Sequence, residues 1–143
     1  MATNHTTNYQ LCQWEATDKV LRTDFNEDNQ KIDAALAGIP KITFGVYTGN
    51  GAASRTIALP FTPKVVFLCD RAGHTGEDIT YLRNKYWYGG LAFTDQPVVV
   101  GSSFTLLAIT EGGFTVGQLT DSDNYQFYNG NASGVVYHYL AIG

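Results

Sequence analysis

Along residues 41–143, apolar residues gather in short runs broken by Gly, Asn, Asp and Pro, whereas residues 23–40 carry only a sparse stripe and residues 1–22 scattered anchors. The runs "KITFGVY", "RTIAL", "KVVFLC", "ITYL", "YWYGGLAF", "VVV", "FTLLAI", "FTVGQ", "YQFY" and "VVYHYLAI" predict strands, and their spacing predicts an antiparallel β-sandwich head. Val65 to Leu68, Val98 to Val100 and Val135 to Ile142 are apolar on both faces rather than alternating. A sandwich of this size has a single core, so a doubly apolar strand needs a second cover, which a subunit interface supplies.

The stripe in "TDFNEDNQKIDAALAGIP" predicts a helix over 24–37, with Asp24 as N-cap, Glu27 completing a capping box, and Gly38 and Pro40 ending it. Phe25, Asn29, Ile32 and Leu36 follow a four, three, four spacing, the narrow seam of a coiled coil. Leucine at a with isoleucine at d favours three or four helices over two, and a polar a residue sets register. Asn29 is then a register device in a short parallel neck. The alternative places the helix on its own domain with Asn29 at the contact edge. The anchors Tyr9, Leu11, Trp14, Val20 and Leu21 lack a period and suggest a leader packed on a neighbour. The chain thus divides into a leader with a trimerising helix, 1–40, and a mainly β head, 41–143.

Composition narrows the partners. Thirteen acidic against nine basic residues give a formal charge of −4 with no basic cluster, so nucleic acid has nothing to dock on. No apolar run approaches the roughly 20 residues that span a bilayer, and the polar start is no secretory signal, so synthesis in the cytoplasm without membrane insertion is expected. Cys12 and Cys69 lack metal-binding spacing and read as plain thiols; no cofactor is expected.

The densest titratable cluster is "CDRAGHTGEDI", with Asp70, Arg71, His74, Glu77 and Asp78. It admits three uses: a solvated loop with internal ion pairs, a ligand contact, or a non-specific metal site. "TGNGAASR" lacks the third glycine and the lysine of nucleotide-binding loops and reads as a hairpin turn. Alternation puts Val136, His138, Leu140 and Ile142 on one face of the last strand, where His138 is either a hydrogen-bonded core residue or a group at a threefold axis. In "KYWYGGLAF", Trp87 shares a face with Leu91 and Phe93, while Tyr86 and Tyr88 face the other way beside Gly90, suited to sugar stacking or to an interface.

The opening "NYQLCQWEATDKVLRTDFNEDNQKIDAALAG" resembles tail-fibre and receptor-binding proteins encoded by phages and prophages of Gram-positive gut bacteria, through Trp14, Asp18, Asp24, Phe25, Asn26, Asp28, Asn29 and Lys31-Ile32-Asp33. Phe61, Pro63, Val65, Phe114, Tyr139, Ala141 and Gly143 resemble the H-type lectin fold, a six-stranded antiparallel sandwich that trimerises and binds sugars. The resemblance implies a homotrimeric, non-catalytic receptor-binding module on a virion, joined to other tail proteins through its N-terminal segment and contacting a host cell-surface polysaccharide. A purely structural connector and a glycan-cleaving tail enzyme are the alternatives. Counting strand directions from Lys41 places "TGNGAAS", "DRAGHTGED", "TDQ", "EGG" and "NGNASG" at the end of the head far from the helix, and "PFTP", "RNK", "GS" and "TDSDN" near it. The expected ligand rim is therefore Asp70, Arg71, His74, Glu77, Asp78, Asp95, Glu111, Asn129 and Asn131, with Tyr86 and Tyr88 on the flank.

Overall fold

The structure, a computed structural model, describes every residue except Thr80 and describes Asp78 by its backbone alone. The expected strand "ITYL" and the expected role of the Asp78 side chain accordingly lie partly or wholly outside the described residues. The chain is mainly β with one helix, and it divides into two compact units, Met1–Pro40 and Lys41–Gly143.

In the first unit, strands β1 (Asn4–His5) and β2 (Cys12–Gln13) form a hairpin, followed by helix α1 (Arg22–Ala37). The helix starts earlier than expected: Leu21 occupies the N-cap position and offers no side-chain bond, while Asp24 lies buried in the first turn. An acidic residue in that turn still meets the positive end of the helix dipole, without capping it. The leader packs on this helix. Asp28 accepts the Cys12 N–H at 2.9 Å, and Lys31 Nζ donates to the Gln10 carbonyl at 2.6 Å. Phe25 stacks on Trp14 at 6.3 Å, yet Phe25, Asn29, Ile32 and Leu36 all remain exposed as one stripe.

The second unit has two sheets around one core. Strands β3 (Ile42–Thr48), β5 (Val65–Asp70), β8 (Gly90–Phe93) and β13 (Val136–Ile142) form an antiparallel four-stranded sheet in the order β3-β13-β5-β8. The other, seven-stranded sheet contains β4 (Ser54–Ala58), β6 (Gly76–Ile79), β7 (Asn84–Trp87), β9 (Val98–Val100), β10 (Phe104–Thr110), β11 (Gly113–Asp121) and β12 (Gln126–Asn129). It is mixed rather than purely antiparallel, because β12 and β7 run parallel. The sheet curls as β11 pairs with β4 over its first half and with β12 over its second. Val66, Leu68, Ala92, Tyr137 and Ala141 from the first sheet meet Leu107, Phe114 and Val116 from the second in one buried core. Gly45 belongs to this packing, since a Cβ there would overlap the Tyr139 hydroxyl.

Three sequence expectations fail for identifiable reasons. "YWYGGLAF" is not one strand: Gly89 lies so close to the Leu68 carbonyl that no side chain fits, and the chain crosses there from β7 in one sheet to β8 in the other. Trp87 therefore packs with Tyr128 and Val98, apart from Leu91 and Phe93, which are exposed. The extra crossing also inverts the later loops. "TDQ" sits at the end where Lys41 and Gly143 lie, with the Thr94 N–H donating to Lys64 O at 3.1 Å, and "EGG" joins it, with the Gly112 N–H donating to Thr62 Oγ1 at 2.9 Å. Asp95 and Glu111 thus leave the expected rim. β11 runs from there past Ala53, which carries "TDSDN" to the opposite end. Finally, His138 is exposed, which removes the core alternative for it: Tyr137, Tyr139 and Ala141 turn toward the core instead.

Candidate functional site

At the end of the β unit opposite Lys41, the loop after β5 is built by one carboxylate. Asp70 Oδ1 accepts the N–H groups of Ala72 at 2.9 Å and His74 at 2.8 Å, and Oδ2 lies 3.1 Å from His74 Nδ1. The Asp70 N–H donates to the His74 carbonyl at 3.0 Å, and the turn closes through Gly73, whose φ of 87° is a left-handed conformation that glycine adopts without strain. Asp70 is largely enclosed, with 14% of its side chain exposed, whereas His74 is 51% exposed. The pairing fixes the imidazole through Nδ1, so the neutral ring presents Nε2 outward as an acceptor. Arg71 and Glu77 are exposed beside it.

Next to this loop runs a row of aromatic rings. Phe127 stacks on Tyr86 at 4.7 Å, Tyr86 on Tyr88 at 6.2 Å, and Tyr88 meets His74 at 6.2 Å with a 39° tilt. Cross-strand pairing creates the row, because Phe127 and Tyr86 are register partners on β12 and β7. Tyr86 is therefore not an open platform: it is half-buried, the Phe127 and Tyr88 rings stack against it, and the Asn84 amide donates to its hydroxyl at 3.1 Å. The row ends at His74, which is exposed, and Tyr88, which is half-buried and packs against the core. Burial, then the negative charges of Glu77 and Asp70, push the Tyr88 phenol above its ordinary pKa, so it remains a donor throughout the neutral range. A depression of about 310 Å³ lies alongside, lined by Gly76, Glu77, Lys85, Tyr86 and Trp87; it is at the small end of ligand sites.

Asn131, expected to meet ligand, is fully buried and does structural work. Its amide donates to Asn50 Oδ1 at 2.6 Å and to Ala52 O at 2.9 Å, and its carbonyl accepts the Asn50 N–H at 3.3 Å. The loop after β3 is thereby clamped to the loop before β13. Asn129 is half-buried and bonded to Gln118 at 3.3 Å. Beneath them Tyr47 and Tyr137 stack at 4.9 Å; Tyr47 donates to Gly130 O at 2.5 Å, Tyr137 donates to Asn129 O, and the Ala132 N–H donates back to the Tyr137 hydroxyl at 3.0 Å. The rim is thus rigid at its base and polar at its surface. Among the described residues, no three His, Cys, Asp or Glu side chains converge as metal ligands.

The site thus keeps Asp70, Arg71, His74, Glu77 and Tyr88 together, reassigns Tyr86 and Asn129 to support, and buries Asn131. Phe127 and the Tyr47–Tyr137 pair escaped sequence reasoning; the alternation Tyr125, Phe127 in "YQFYN" was the available sign for the first. Comparison with known proteins found no matching family model, no matching characterised protein and no matching solved structure.

Proposed function

We propose that this protein is a non-catalytic receptor-binding module of a phage tail fibre, homotrimeric, whose β-sandwich head recognises a host cell-surface polysaccharide and whose helix forms a short coiled-coil neck. The observation that carries the proposal is the pre-organised end of the aromatic row. Asp70 holds His74 against Tyr88, so a fixed imidazole edge, a phenol hydroxyl and an aromatic ring stand together at the margin of the sheet. Hydroxyl-rich ligands with one C–H face match that combination, and fixing the groups beforehand lowers the ordering cost of binding. The non-catalytic character is favoured by Asp70, whose carboxylate is spent on three bonds within its own loop and is not free for proton transfer. The exposed stripe Phe25, Asn29, Ile32 and Leu36 supports the neck.

Pull-down on purified Gram-positive cell-wall polysaccharide tests the function. Combined His74→Ala and Tyr88→Ala should lower retention at least about tenfold, as expected for loss of two central contacts, while circular dichroism stays unchanged. Full retention by the folded double variant would move the host contact elsewhere, and absence of binding by the unaltered protein to any wall fraction would favour the structural-connector alternative.

A further inference from the structure

The outer face of the four-stranded sheet is a continuous apolar surface. Register aligns Phe44, Leu140, Phe67 and Leu91 in one row, Ile42, Ile142, Val65 and Phe93 in the next, and Val46, His138 and Cys69 in a third. Exposure is high for this chemistry: Phe44 81%, Ile42 62%, Val46 57% and Leu91 50%. At about 200 Å² for a fully exposed large side chain, the face presents on the order of 600 Å² of apolar surface. Such a patch is at or beyond the largest that soluble monomers carry, and it approaches the ~800 Å² per partner of a standard interface. β5 and β8 are apolar on both sides, since their inner residues Val66, Leu68 and Ala92 belong to the core.

His138 identifies the partner. Opposite it across the sheet stand Val46 on β3 and Cys69 on β5, and β8 has no residue at that level. Cys69 is the other titratable group on this face among the described residues, and burial, then Asp70, raises its thiol pKa, so it supplies no charge at neutral pH. A foreign partner would have to bring its own polar group to match a single imidazole. A copy of the same chain brings one by symmetry, because a closed interface repeats each residue around its axis.

We infer that the outer face of the β3-β13-β5-β8 sheet is where copies of this chain pack against one another, with His138 near the symmetry axis. The inference rests on the homotrimer reading, which it deepens by naming the surface that joins the copies, and it is independent of the glycan reading.

Sedimentation of the full chain at micromolar concentration tests it. A multiple of 15.6 kDa is expected. Phe44→Glu, at a position too exposed to disturb folding, should raise the dissociation constant about 30-fold or more, the scale of a central contact, with an unchanged circular dichroism spectrum. A monomer, or an oligomer indifferent to Phe44→Glu, overturns the interface.

Discussion

Replacing Asn131 separates a clamp from a ligand contact. The side chain is fully buried and makes three hydrogen bonds, two donated to Asn50 Oδ1 and Ala52 O and one accepted from the Asn50 N–H. Each is worth about 0.5–1.5 kcal/mol net. Asn50 and Ala52 are exposed and regain water when the clamp is lost, so Asn131→Ala should destabilise the β unit by about 2 kcal/mol, toward the low end of the sum. Asn131→Asp preserves the shape but points a carboxylate at two acceptors in a site without water contact, which should cost about 3 kcal/mol or more. Urea melts followed by circular dichroism give both values, and the order Asp worse than Ala is the sharper expectation. Wall-polysaccharide binding by the folded fraction should be unaffected by Asn131→Ala. A change in stability below about 0.5 kcal/mol together with lost binding would refute the clamp and restore Asn131 to the recognition surface.

Other consequences are independent of this one. Burial pushes the Tyr137 phenol up to about 12, and burial together with the neighbouring Tyr137 raises Tyr47 further. A phenol pKa raised by folding gives stability that is full below the ordinary value of ~10 and is lost above it, so absorbance titration should show two tyrosines that ionise only as the β unit unfolds in alkali. The Asp18 carboxyl lies below its ordinary range through bonds from the Glu15 and Thr3 amides. Asp28 is also lowered, its partial burial acting upward but outweighed by bonds from Cys12 and Lys31. Depressed carboxyls stabilise above about pH 4 and lose that contribution as pH falls through the folded values, so amide exchange in residues 3–18 should quicken below that pH before exchange in the β core does. Asn29→Ile should raise the melting temperature while loosening control of oligomer number if Asn29 sits at a central a position; a change below about 0.5 kcal/mol with an unaltered mass would place it outside any seam.

The legibility of this chain in its sequence follows from where side-chain chemistry or backbone geometry decides the outcome. The doubly apolar runs of β5 and β13 were readable because burial on one face and an exposed apolar surface on the other both leave a hydrophobic sequence. Which face was which was not readable: His138 seemed suited to the core by company, but Tyr137 can reach Asn129 O and the Ala132 N–H only from the inner side. β6, "GEDI", has no apolar period and is held by backbone pairing to β7, so no hydrophobic pattern betrays it. The Gly89-Gly90 crossing was hidden for the opposite reason, because the apolar run continues through it while the backbone changes sheets. At the site, the cluster around Asp70 and His74 was visible as a local concentration of charge. The closing of Asp70 onto its own loop, and the burial of Asn131 against Asn50, 81 positions away in sequence, depend on tertiary neighbours that no local pattern encodes.

The most direct test of the account places a purified Gram-positive wall polysaccharide in solution with the isotope-labelled protein and follows the aromatic ring resonances by NMR. The account predicts that the His74 and Tyr88 ring signals shift on titration while those of Tyr47 and Tyr137, buried below the rim, and of Phe44, on the outer sheet face, do not. Shifts confined to Phe44 and its neighbours, with His74 and Tyr88 unmoved, would contradict it.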